Sequence, residues 1–167
     1  MLASLTDPQV KQIEKRFADQ RQEDHTAYLA PSLDAQIDER AERAAERAEG
    51  WLGRLNKDQR TRIQTWSAAL GEQNAHWLES RAQWQSAFIE ALHLRVEDGF
   101  TERIGHLFQE RDQYWTPTYQ YRYPAARSEL ASMIADLYAL ATPAQRERLA
   151  RRIAQTRQQV ESMACSA

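Results

Sequence analysis

Side chains able to do chemistry are thinly spread in this chain. His25, His76, His93 and His106 fall in separate segments, and none forms an HExxH or ExxH pair that would let one helix face hold a metal ion. His76 and Glu79 stand three apart, but in the reverse order and without a second ligand pair. The four histidines therefore read as surface or half-buried side chains, with no metal and no cofactor. Nucleophilic catalysis would need a placed Ser or Cys beside a base. The sequence has no G-x-S-x-G elbow, and its one cysteine, Cys165, sits in the tail, where it reads as a thiol without a role ahead of an intermolecular disulfide in an oxidising compartment. No Gly-rich loop follows a strand, so a phosphate cradle is not expected either.

Carboxylates are plentiful, but Glu39, Glu42, Glu46 and Glu49 are interleaved with arginines. Pairs such as Glu39 and Arg43, four apart, describe a solvated helix face rather than an acid and a base poised for catalysis. No catalytic residue is assigned, and the expectation is a protein that is not an enzyme.

One concentration invites a functional reading. Arg111, Tyr114, Trp115, Tyr119, Tyr121, Arg122 and Tyr123 supply rigid, amphipathic rings and guanidinium groups of the kind that anchor a partner. The same rings would equally fasten a long connection onto a helical core. Trp77 and Trp84, seven apart on an apolar face, either pack in the core or line a ligand cleft.

The elements that must position these residues are helices. Gly and Pro occur only 5 times each, while Ala, Arg, Glu, Gln and Leu, which lose least on winding into a helix, dominate. Thr6 with Gln9, Asn56 with Gln59 and Thr142 with Gln145 read as capping boxes that open three helices. Asp7 onward carries Val10, Ile13 and Phe17 on one face and should stop before Ala30-Pro31. Ser32 caps a helix with Leu33, Ile37, Ala41, Ala44, Ala48 and Leu52 at helical spacing, its other positions, Arg40 among them, being assigned to solvent.

Gly53 and Gly71 bound the helix of Ile63, Trp66 and Leu70. A strongly apolar face of Trp77, Trp84, Phe88, Ala91 and Leu92 runs to about Val96 and is expected at the centre of the core. Phe100, Ile104, Leu107 and Phe108 mark a short helix. From Arg111 to Arg127, with Pro117 and Pro124, a loop or broken helix is expected. Leu130, Ile134, Leu137 and Tyr138 then form another helix, and Leu149, Ile153, Val160 and Met163 the last, with a frayed tail beyond.

These elements predict an all-α antiparallel bundle of six to seven helices in a single domain over residues 1–167. The chain is 28% charged and 42% apolar, so each helix offers only a narrow stripe to a core. With 22 basic and 24 acidic side chains the net charge is −2, which leaves no basic field to draw in nucleic acid or an anionic membrane. No apolar run approaches the roughly 20 residues that span a bilayer.

The run Asp38-Glu39-Arg40-Ala41-Glu42-Arg43-Ala44-Ala45-Glu46-Arg47, followed by Gly50-Trp51-Leu52-Gly53-Arg54-Leu55-Asn56-Lys57-Asp58-Gln59-Arg60, resembles domain of unknown function 6279, a family of uncharacterised proteobacterial lipoproteins. Trp66, Trp77-Leu78, the stretch from Arg81 to Trp84, Tyr114-Trp115-Thr116-Pro117 with Tyr119, and Thr142-Pro143-Ala144-Gln145-Arg146 look like the same family in the same order. The resemblance implies an all-helical protein exported by a lipoprotein signal and tethered on the periplasmic side of the cell envelope. In such proteins a signal, a lipidated cysteine and a further helical segment precede the region matched here. The chain opening at Met1 would then be the C-terminal part of a longer lipoprotein, reaching the membrane only through an anchor it does not itself carry. A fainter similarity links Leu5-Thr6-Asp7-Pro8-Gln9, and less closely Leu55 to Gln59 and Ala141 to Gln145, to the LTxxQ motifs of Spy and CpxP type periplasmic chaperones, a pattern that any capping box produces.

The functional expectation is a non-enzymatic, protein-binding scaffold or chaperone-like holder whose partner is an envelope protein or an unfolded client. Two alternatives stand beside it: a small-ligand binder or enzyme with a novel site near Trp77, Trp84 and Trp115, and a cytoplasmic adaptor should Met1 be the natural start.

Overall fold

A computed structural model describes residues 2–164, without the side chain of Ala164; Cys165 and the tail lie outside the described residues. Among these it contains seven α-helices and no strand: α1 (Asp7–Tyr28), α2 (Leu33–Leu52), α3 (Lys57–Leu70), α4 (Gln73–His93), α5 (Phe100–Gln109), α6 (Pro117–Ala139) and α7 (Pro143–Ala164). The all-α fold expected from composition is what forms. The chain divides into two compact units, Met1–Gln36 with Glu72–Ala125, and Ile37–Gly71 with Ala126–Ala167.

The helix starts follow the expected chemistry. At α1 the Thr6 amide donates to Gln9 Oε1 at 2.8 Å. At α3 the Asn56 amide donates to Gln59 Oε1 at 3.0 Å while the Gln59 amide donates to Asn56 Oδ1 at 2.9 Å. At α7 the Thr142 and Gln145 pair does the same at 2.9 and 3.2 Å. The LTxxQ-like stretches are thus helix N-termini. Gly53 and Gly71 end α2 and α3 with φ of 80° and 52°, a region that L side chains avoid.

The first unit packs α1, α4 and α5 around Val10, Phe88, Ala91, Leu92, Phe100 and Leu107. Phe88 stacks on Trp84 at 5.3 Å and meets Phe17 and Phe108 at 6.0 Å each. Leu2 and Leu5 close one end of this core. Arg95 clamps the entry to α1 by donating to the Leu5 carbonyl at 2.6 Å and pairing with Asp7.

The second unit sets α3, α7, most of α2 and the C-terminal part of α6 around Ala41, Ala45, Leu52, Leu55, Ile63, Met133, Leu137 and Ala141. Alanines on α2 let its neighbours approach closely. The glutamines of two capping boxes meet in this interior. Gln59, with no exposed surface, donates to the Leu137 carbonyl at 3.0 Å, and Gln145 donates to Gln59 Oε1 at 3.1 Å and to the Arg54 carbonyl at 2.9 Å.

Four expectations are corrected. Arg40 is not on the solvated face. It is 8% exposed, and its guanidinium donates to the Ser67 and Gly71 carbonyls at 2.9 Å each, filling the acceptors that the end of α3 leaves open. Burial, and secondarily Arg43, lowers its pKa from the ordinary value. Leu33, placed on the apolar stripe of α2, is exposed.

Helix α4 ends at His93 rather than near Val96; Arg95 and Glu97 instead bond back as turns, and Val96 is exposed. The stretch from Arg111 to Arg127 is neither loop nor broken helix. A 3₁₀ turn spans Arg111–Tyr114, Thr116 then caps α6 by accepting from the Tyr119 amide at 3.3 Å, and α6 runs unbroken through Pro124. Pro124 is exposed, so the Gln120 carbonyl deprived of its helical donor can be served by water.

Candidate functional site

Two concavities stand out, one in each unit. In the first unit, Trp77, Trp84, Trp115, Tyr119 and Tyr123 surround a cavity of about 260 Å³, together with Ser80, Arg81 and Arg111. Trp77 and Trp84 project from α4 seven residues apart. Neither is fully inside the core as expected: Trp77 is 38% exposed and Trp84 half-buried, its indole N–H donating to the Leu107 carbonyl at 2.8 Å. Each lines the cavity with part of its ring while its other contacts reach Tyr28 of α1 for Trp77 and Leu107 and Phe108 of α5 for Trp84. Trp77 meets Tyr28 edge-on at 6.1 Å, and Arg81 lies over its ring at 5.5 Å.

The opposite wall comes from the segment singled out in the sequence. Trp115 precedes α6, and Tyr119 and Tyr123 follow one helical turn apart, so the three rings meet at 4.6 to 5.7 Å between centroids. A buried hydrogen bond fastens this wall to α4: Ser80 Oγ and Thr116 Oγ1 lie 3.1 Å apart, and the Thr116 amide donates to Ser80 Oγ at 2.9 Å. The sequence carries no signal for this pairing, since Ser80 belongs to no motif, Thr116 figures only in the family-like run from Tyr114 to Pro117, and the two stand 36 positions apart.

The seven residues of the arginine and aromatic cluster separate by role. Arg111, Trp115, Tyr119 and Tyr123 line the cavity. Tyr114 packs against the first unit's core. Arg122 lies 3.3 Å from His76 Nε2, and Tyr121 is 86% exposed, pointing away from the others on α6. Fastening and surface formation thus occur in the same segment through different side chains.

The two cavity arginines differ in their commitments. Arg81 is paired with Asp24 at 2.6 Å, and the buried Asp24 also accepts from Gln20 at 3.1 Å. Arg111 has no carboxylate partner among the described residues and lies over the Trp84 ring at 5.0 Å. Burial raises the Tyr119 hydroxyl above its ordinary pKa, Tyr123 adds to the rise and Arg111 opposes it, so the phenol is neutral at physiological pH.

In the second unit, Trp51, Trp66, Leu130, Ile134, Tyr138 and Leu149 are among the residues lining an apolar groove of about 420 Å³ on α2, α3, α6 and α7. Leu130, Ile134 and Tyr138 are successive turns on one face of α6, all exposed, and Ile134 is 56% open. The only charged lining residue is Arg47. Arg146 lies over Tyr138 at 5.2 Å and Arg152 over Trp51 at 5.9 Å. Past Trp51 the apolar track continues along α7 through Ile153 and Val160. By formal charge, with histidines neutral, the second unit carries 13 basic and 10 acidic side chains, while the first carries 9 and 14.

Among the described residues no group of histidines, cysteines and carboxylates is arranged to hold a metal ion. His93 bonds Glu14 at 2.8 Å and His106 bonds Glu110 at 3.2 Å, each as an exposed pair. No described helix is long and apolar enough to cross a membrane.

The chain is an all-α protein among whose concavities two, one in each unit, are lined largely by aromatic rings or apolar side chains. The chain belongs to DUF6279, a family of unknown function, whose model matches residues 1–120. That stretch holds all of the aromatic cavity except Tyr123, whereas the α6 and α7 walls of the groove lie beyond it. No curated protein and no solved structure matches the chain.

Proposed function

We propose that this chain is a non-enzymatic binding domain that takes an acidic amphipathic helix of a partner protein into the groove of its second unit. The observation that carries the reading is the run of exposed Leu130, Ile134 and Tyr138 facing Trp51 across an apolar floor. Apolar anchors one helical turn apart are how an amphipathic helix enters such a groove. The groove spans about 12 Å along α6, from eight residues at ~1.5 Å each, which matches two to three anchors. Charge complementarity selects the partner: Arg47, Arg146 and Arg152 edge the groove, no acidic residue lines it, and the second unit has a surplus of basic groups. A second copy approaching through its own arginine-rich α7 would meet like charge.

Family resemblance adds the setting, a domain tethered on the periplasmic side of the envelope with an envelope protein or a partly unfolded client as partner. Fractionation of the natural full-length product, with its mature mass read before and after blocking lipoprotein processing, tests the setting independently of the groove.

The binding test uses a synthetic amphipathic helix with Leu anchors and Glu flanks, titrated by fluorescence anisotropy against the same peptide with Lys flanks. The Glu peptide should bind, and Ile134→Asp should weaken it by at least about tenfold while leaving stability within ~0.5 kcal/mol, because the side chain is exposed. Equal binding of the Lys peptide, or binding indifferent to Ile134→Asp, would overturn the assignment.

A further inference from the structure

The aromatic cavity of the first unit offers a second, separate chemistry. Its walls are ring faces and edges from Trp77, Trp84, Trp115 and Tyr123, and its volume of about 260 Å³ lies just below the roughly 300 Å³ at which drug-sized sites begin. A single-ring ligand suits that space. Two polar groups there are uncommitted. Arg111 has no ion-pair partner among the described residues, whereas Arg81 is neutralised by Asp24. Tyr119 is 8% exposed as a whole residue, and its hydroxyl, which is not among the buried polar atoms without a partner, makes no hydrogen bond to any described residue and is open at the cavity. A phenol hydroxyl open to the cavity is free to donate to a ligand there.

We propose that this cavity binds a small aromatic carboxylate, its ring held among the tryptophans and its carboxylate set between the Arg111 guanidinium and the Tyr119 hydroxyl. Arg111 supplies the cation and up to two N–H donors, and the phenol donates one further hydrogen bond. Other occupants fit less well. A quaternary ammonium would enjoy the rings but face an uncompensated arginine. A sugar would need several hydroxyl partners, and Ser80 and Thr116 are already bonded to each other.

The test is an NMR titration of the tryptophan indole N–H signals, assigned through Trp115→Phe. Benzoate and phenylacetate are the probes, with benzyl alcohol and cyclohexanecarboxylate as neutral and non-aromatic controls. Benzoate or phenylacetate should shift the Trp115 signal saturably in the millimolar range or below, and each control should bind at least about tenfold more weakly. Arg111→Gln, at an exposed position, should weaken the carboxylate by at least about tenfold and leave benzyl alcohol unchanged. Tyr119→Phe should weaken it by a smaller factor with the unfolding midpoint preserved. Absence of saturation with both probes would overturn the proposal, as would benzyl alcohol binding equally well or affinity indifferent to Arg111→Gln. None of these outcomes bears on the groove, so the two assignments stand or fall separately.

Discussion

Replacing Arg40 tests the account of how α2 and α3 are joined. Its guanidinium donates to two carbonyls at the end of α3, at Ser67 and Gly71. Hydrogen bonds to a charged donor contribute about 1.5–3 kcal/mol each, and a stranded buried carbonyl costs ~1–3 kcal/mol. Against this, Arg40→Ala no longer has to strip water from a cation. The balance is a loss of about 2–4 kcal/mol, which at ~2–4 °C per kcal/mol for a chain of this size lowers the unfolding midpoint by roughly 5–15 °C.

Arg40→Lys reaches one carbonyl rather than two and should lose about half as much. Urea unfolding gives the total, and amide exchange over residues 57–71 locates it: protection should fall first in the last turn of α3. A change within ~0.5 kcal/mol, the range of an ordinary surface substitution, would refute the reasoning and return Arg40 to the solvated face.

Gln59→Leu should destabilise the second unit by about 2–3 kcal/mol, since it removes the donor to Leu137 and the acceptor of the Asn56 amide and of one Gln145 N–H; in a double-mutant cycle with Gln145→Leu, urea unfolding should show coupling of at least ~0.5 kcal/mol. Pro124→Ala should stabilise the chain by about 1–3 kcal/mol in thermal unfolding, because it restores a helical donor at an exposed position in α6. Asp7, bonded to and attracted by Arg95, has a pKa lowered from 3.8. A depressed carboxylate stabilises above its unfolded pKa and ceases to do so as pH falls through its folded value. The stability difference between the parent and Asp7→Asn should therefore be present at neutral pH and vanish in acid below that range, as read by urea unfolding across the pH series.

The helices were legible because their boundaries are written in local chemistry. The capping boxes at Thr6, Asn56 and Thr142 and the glycines at 53 and 71 act over four residues, and a sequence displays that range directly. Arg40 was not legible, because it sits among Glu39, Glu42 and Arg43 and only the approach of α3, 27 residues on, distinguishes it. Pro124 misled for a related reason: proline speaks against a helix interior, but exposure of the broken turn and packing on either side of it outweigh one lost bond.

The cavity residues were half legible. Trp77, Trp84, Arg111, Trp115, Tyr119 and Tyr123 were all singled out, yet whether their rings fill a core or bound a cavity depends on a few ångströms that periodicity does not carry. The groove was less visible still. Leu130, Ile134 and Tyr138 read only as the apolar spacing that marks a helix, and only the lack of a covering element among the described residues makes them a surface.

The junction between the starts of α3 and α7 is made of two glutamine amides and backbone carbonyls, and nothing in it titrates or carries charge. Acid and high salt, which loosen contacts such as Arg95 with Asp7, have no purchase on it. The register of α3 against α7 at this junction therefore does not depend on ion pairs, unlike the contact of α3 with α6 that Arg62 and Asp136 make at 2.7 Å.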